Sequence, residues 1–159
     1  MGRHILVAME RSASSEAALE FALEEYPDAT ITVLHVLESG DPLDLFAKPE
    51  PSEYIVPDSD YELDDELLPR AGRFERGQRK RAEKVFEQAC RIADEHGREI
   101  ELAVESGKTA QEISDYAENH AIDQIVIGDR KYRGVSRALF GNIAASIARR
   151  TSIPVTIIC

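Results

Sequence analysis

Apolar positions along the chain follow two rhythms. Largely apolar and β-branched runs occur at Ile5–Met9, Thr30–Leu37, Gln124–Ile127 and Ile153–Ile158, while Glu99–Glu105 alternates through Ile100, Leu102 and Val104. Short apolar runs bounded by polar residues are the mark of strands buried on both faces of a parallel sheet. Between them the spacing changes to that of helices. Leu19, Ala22, Leu23 and Tyr26 recur at three and four residues, as do Ala82, Val85, Phe86, Ala89 and Ala93 within Arg73–His96. Ile113, Tyr116 and Ala117, and then Ile143 and Ile147, define two further inner faces. Punctuation supports these boundaries. Ser12 is a good N-cap and Pro27 a stop; Gly97 ends the long helix, Gly107 turns the chain, and Thr109 with Glu112 has the form of a capping box. Arg149 and Arg150 complete a last turn as the helix dipole favours, and Pro154 suits a strand start or an edge. Five strands alternating with four helices predict an α/β fold: an open parallel sheet, right-handed crossovers, and helices on both faces.

One stretch breaks the rhythm. Residues 38–70 hold five of the seven prolines, and Asp58, Asp60, Glu62, Asp64, Asp65 and Glu66 cluster towards its end. So long a connection inside a compact domain reads as a solvated acidic insert, with a lid, a partner-binding segment or disorder as the alternatives. At 159 residues the whole chain is read as a single domain, 1–159, carrying that insert.

Charge narrows the partners. A formal net charge of -11 disfavours nonspecific binding to nucleic acid or an anionic membrane, both polyanions. The basic residues are 14 Arg and 5 Lys, and this Lys-poor, acid-rich balance resembles a surface adapted to high salt; an ordinary acidic cytosolic protein is the alternative. Ile5–Met9 is too short for a signal-peptide core, and no run approaches the roughly 18 apolar residues of a membrane span, so a cytoplasmic protein is expected. Cys90 and Cys159 form neither a disulfide framework nor a metal motif, and Cys90 is expected to pack in the interior. His35 has no partner at ligand spacing and is expected to be a hydrogen-bonded core residue.

The candidate chemistry lies at GDRKYRGVSRALFGN, Gly128–Asn142. A strand leads into it and a helix follows it. Backbone N–H groups at such a junction, with the positive end of a helix dipole behind them, make a candidate phosphate cradle. Arg130, Lys131, Arg133 and Arg137 add four cations to a strongly acidic chain, and arginine forks suit phosphate oxygens. A solvated loop, or ion pairs to the acidic insert, is the competing reading of these cations. Three other doubly wound functions are excluded. The first turn, Met9-Glu10-Arg11-Ser12, lacks the glycines of a dinucleotide fold. The acids and lysine of a phosphoacceptor receiver are missing, and so is the G-x-S-x-G elbow of a serine hydrolase.

On these residues the sequence resembles the universal stress protein family over essentially its whole length. The carriers are ILVAMERSASSEAALEFA at the start, Leu34-His35-Val36, the turn and helix from Gly107 to Ile113, and above all Ile125 through IGDRKYRGVSRALFGNIAASIARRTSIPVTII. The last resembles the family's glycine signature, in which one glycine is followed three residues later by a second and ten residues after that by a third, ahead of a Ser or Thr. The resemblance implies the strand order 3-2-1-4-5, with a ligand crevice where the order reverses between the first and fourth strands. It implies ATP or AMP, with Mg²⁺, as ligand. The purine end would be held near Ala8, Glu10, Val36 and Ile127, and the phosphates near Gly128, Lys131, Gly141, Asn142 and Ile143, with Arg130 beside them.

Three positions depart from that pattern. Lys131 stands where the second glycine would be, Asn142 replaces the hydroxyl residue, and Glu10 replaces the usual Asp. Two readings follow: a nucleotide-binding stress regulator, or a non-binding member acting as a dimeric interaction module. In either case a homodimer through the last strand is what the resemblance implies. No nucleophile–base pair or paired carboxylates emerges from the sequence, so any ATP hydrolysis is expected to be slow and incidental.

Overall fold

The computed structural model describes residues 2–10, 12–38, 76–128 and 143–158. The elements are β1 (His4–Ala8), α1 (Ala13–Glu25), β2 (Thr30–Glu38), α2 (Arg76–Glu95), β3 (Glu101–Gly107), α3 (Thr109–Asn119), β4 (Gln124–Gly128), α4 (Ile143–Arg150) and β5 (Val155–Ile158). All strands run parallel, in the order β3-β2-β1-β4-β5. This is the architecture that the alternation and the resemblance imply. The insert from residue 39 onward, the start of the long helix at Arg73, and the basic loop from 129 to 142 lie outside the described residues.

Strand alternation divides the core in two. Ile5, Val7, Ile31, Val33, Leu37, Val104 and Val126 point to one face, under α1 and α2. Leu6, Ala8, Leu34, Ile125 and Ile127 point to the other, under α3 and α4. Period-two geometry sends neighbouring side chains to opposite faces, so a run such as Ile5–Met9 is buried throughout only when both faces are covered. Phe86 fills the centre of the α2 contact and Ile113 and Ile147 those of α3 and α4, each almost fully buried. Burying a large apolar side chain stabilises by about 1.5–3 kcal/mol.

Local chemistry sets the boundaries. Ser12 caps α1, its Oγ accepting from Ser15 N–H at 3.2 Å. Gly97, at φ 64, ends α2: Gly97 N–H donates to the Asp94 carbonyl at 3.0 Å and Arg98 N–H to the Ala93 carbonyl at 2.9 Å. That is the Schellman arrangement for which left-handed glycine is suited. Asp123 ties the start of β4 to β1, exchanging 2.8 Å hydrogen bonds with the His4 backbone.

Three expectations are corrected. The capping box does not form, because α3 starts one residue earlier than a Thr109 cap requires: Lys108 is the N-cap, and its carbonyl takes the Glu112 N–H at 2.9 Å. Glu112 is thereby one position too far along to reach back, and its side chain lies against Gly107 instead. Burial there, with Glu105 and Asp115 nearby, pushes its carboxyl up. β3 runs two residues later than Glu99–Glu105, since its register follows Thr32–Glu38 of the nine-residue β2. Cys90 is half-buried rather than interior; desolvation pushes its thiol up, towards the unreactive form.

Candidate functional site

The sheet order reverses between β1 and β4. α1 leaves β1 over one face, while β4 leads to α4 on the other, and an open α/β sheet leaves its ligand crevice at the carboxyl ends of two such strands. Ala8 closes β1 and pairs in register with both Leu34 and Ile127. Ala8, Leu34 and Ile127 are buried in one cluster, with Val36 and Ala144 half-buried against it. Three of the four residues expected at a purine, Ala8, Val36 and Ile127, thus share one apolar patch at the top of the α3/α4 face. Glu10 follows directly, half-buried.

Glu10 is held by its backbone. The Met9 carbonyl accepts from His35 Nδ1–H at 2.9 Å, and the Glu10 N–H donates to Ser15 Oγ at 3.1 Å. These two groups belong to one peptide unit. Next to it, Met9 N–H donates to the Leu34 carbonyl and Ser12 N–H to the Glu10 carbonyl, each at 2.9 Å. Ser12 Oγ and Ser15 Oγ lie 2.7 Å apart, which joins this anchor to the α1 cap. His35 and Ser15 are both buried, and the His35 ring meets Phe86 edge-on, centroids 6.4 Å apart. Burial holds the imidazole below its ordinary range and the charge of Arg81 adds to this, while the bond to Met9 opposes them. The ring is therefore neutral with its proton on Nδ1, because a carbonyl only accepts.

Gly128 ends β4 against the first turn of α1. A β-carbon there would collide with the backbone carbonyl of Ser14 and stand 2.7 Å from the Ser15 nitrogen. The first glycine of the signature is thus demanded by packing between the end of β4 and the first turn of α1. Ile143 begins α4 and is 36% exposed. Arg130, Lys131, Gly141 and Asn142 lie outside the described residues.

A cavity of about 470 Å³ opens on the other side of Glu10, between α1 and α2. Glu10, Glu16, Glu87, Lys84 and Arg91 line it over a floor that includes Met9. Its charges are mixed, and Arg91 pairs with Glu87 at 4.0 Å. This polar-lined cleft and the apolar patch lie on opposite faces of the sheet, with Glu10 at the ridge between them.

Ala8, Glu10, Val36, Ile127 and Gly128, which the resemblance implies at one crevice, lie at one end of the sheet. Ser15 and the link from His35 to Glu10 were not expected. The Ser12-x-x-Ser15 spacing at a helix start was a visible signal for the serine. Nothing local joins His35 to Met9, 26 residues away.

A parallel sheet in the order 3-2-1-4-5, with helices on both faces, defines a doubly wound α/β protein. The chain belongs to the universal stress protein family, whose model matches residues 1–158. The stress response protein NhaX of Bacillus subtilis is 27% identical over 165 residues, covering 97% of this chain and 96% of that protein. A universal stress protein from Archaeoglobus fulgidus in complex with dAMP superposes with a TM-score of 0.65 at 20% identity, covering 100% of this chain and 98% of that one. A family protein from Arabidopsis thaliana with AMP bound gives 0.64 at 20% identity, covering 98% and 90%. At such identities these structures show the shared fold.

Proposed function

We propose that this chain is a stress-associated regulator that binds an adenine nucleotide, ATP or AMP, in the crevice between β1 and β4. The observation that carries the reading is the shared apolar patch of Ala8, Val36 and Ile127 with Glu10 at its edge. A purine needs a flat apolar wall and a few fixed polar groups, and this end of the sheet offers both. Bound dAMP and AMP in relatives of the same fold support it. In this reading the phosphates meet Gly128, Arg130, Lys131, Gly141, Asn142 and the start of α4 at Ile143. The cations supply charge there, Asn142 donates from its amide where the family has a hydroxyl, and Mg²⁺ accompanies ATP. The protein acts in the cytoplasm, as one 1–159 domain, and signals through nucleotide occupancy rather than turnover.

The test is calorimetric titration with ATP and Mg²⁺ at low and high KCl, beside a Lys131→Gly, Asn142→Ser double variant. Saturable binding by the wild type is expected. Binding gained only in the variant would mean that this chain has lost the site.

A second reading has its own observation. β5 is one edge of the sheet, and Ile157 on it is 45% exposed. An apolar edge strand is a pairing surface, which favours a homodimer through β5 and an interaction role. Light scattering should then give twice the monomer mass, and Ile157→Asp should halve it. A wild type that is monomeric at every concentration would remove this reading.

A further inference from the structure

Both polar groups of the Met9–Glu10 peptide unit are taken by buried side chains from different elements: His35 of β2 holds the carbonyl and Ser15 of α1 holds the N–H. A strand end at a crevice is ordinarily free to rotate its last peptide into solvent. Here that rotation is blocked from both sides, and the direction in which the Glu10 side chain leaves the backbone is set with it. The ring of His35 is itself fixed by Phe86 from α2, and the hydroxyl of Ser15 by Ser12 Oγ, so the clamp is made of parts that cannot easily yield. Packing alone does not require this arrangement. A phenylalanine would fill the place of the His35 ring and an alanine that of Ser15, but neither would engage the peptide.

We infer that His35 and Ser15 are positioning residues, which aim the Glu10 carboxylate at the mouth of the crevice. The consequence for binding rests on the nucleotide reading above, whereas the clamp itself does not. A carboxylate that must meet one edge of a base gains from being held in direction before the ligand arrives, because the ordering cost has already been met in folding. The His35 ring lies on the α1/α2 face with Phe86, opposite the apolar patch, and acts through the Met9 carbonyl.

The full chain and its His35→Phe, His35→Asn and Ser15→Ala variants separate the readings. Asn carries its amide nitrogen where His35 has Nδ1, so it keeps the donor and loses the ring, while Phe keeps a ring and loses the donor. Hydrogen exchange of the Glu10 amide is measured by NMR, with the core amides of Val7 and Val33 as internal references. Exchange at Glu10 should rise about tenfold or more in His35→Phe and in Ser15→Ala while the references keep their protection, and should return towards wild type in His35→Asn. ATP affinity, titrated with Mg²⁺, should weaken roughly 10- to 100-fold in His35→Phe and recover in His35→Asn. Unchanged Glu10 exchange in both donor-loss variants would overturn the clamp. Affinities that follow each variant's melting temperature, rather than the presence of the donor, would overturn positioning in favour of a structural role. If the wild type does not bind ATP the nucleotide reading fails, and the exchange measurement still decides the clamp.

Discussion

Gly128 and Ser14 meet with no space for a side chain between them: the end of β4 rests directly on the backbone of the first turn of α1. This contact sets how closely the two sides of the crevice approach. Gly128→Ala should destabilise by about 3 kcal/mol, since the obstacle is backbone and cannot rotate away. Urea unfolding measures it, and a change below about 0.5 kcal/mol would show that the helix simply shifts aside.

Ala121 sits at φ 52 just beyond α3, where Ile122 N–H donates to the Ala117 carbonyl at 3.1 Å. The same cap at the end of α2 uses Gly97. A left-handed alanine is strained by about 1–2 kcal/mol, and part of the relief from glycine is offset by its freer unfolded chain. Ala121→Gly should therefore stabilise by about 0.5–1 kcal/mol, read as a higher melting temperature. A lower one would mean that the strain is already relaxed.

Arg98 reaches from the end of the α2 cap to two carbonyls, Leu23 at 2.9 Å and Ala29 at 2.8 Å. One guanidinium thereby joins the last turn of α1 to the lead-in of β2. Loss of both charge-assisted bonds in Arg98→Ala should cost about 2 kcal/mol. Arg98→Lys should recover less than half, because an ammonium lacks the planar fork. Full recovery by lysine would reduce the contact to simple charge.

Two histidines give stability opposite slopes with pH. His35 is held below its ordinary value mainly by desolvation. The unfolded chain then binds its proton first, so the stability His35 contributes is present above about pH 6.5 and is lost as pH falls through its lowered folded value. His96 is raised, first by its bond to the Ile92 carbonyl and then by Glu24, so its contribution is present below about pH 6.5 and is lost as pH rises through the raised value. Urea unfolding from pH 5 to 8 should show His35→Phe flattening the acid limb and His96→Gln the alkaline one. An acid limb unchanged in His35→Phe would place its origin elsewhere.

Much of the architecture could be read from one dimension. Each strand named from the sequence exists, within two residues, and the Ala82–Ala93 stripe is the buried face of α2. These features follow from period and punctuation, which are properties of neighbouring residues. The capping box failed for an equally local reason. One residue of helix start, Lys108 rather than Thr109, changes which side chain can reach which N–H, and pattern does not resolve a single residue.

By itself, then, the sequence determined the two-sided burial of the strands, the kind and order of the described elements, and the net charge. Only tertiary structure decided that Gly128 must be glycine because Ser14 lies against it, and that His35, 26 residues from Met9, holds the peptide before Glu10. The physical reason is range. Periodicity records how a residue relates to its own element's buried face, whereas a clamp between β1, β2 and α1 depends on strand order and register, and those arise only when the sheet assembles.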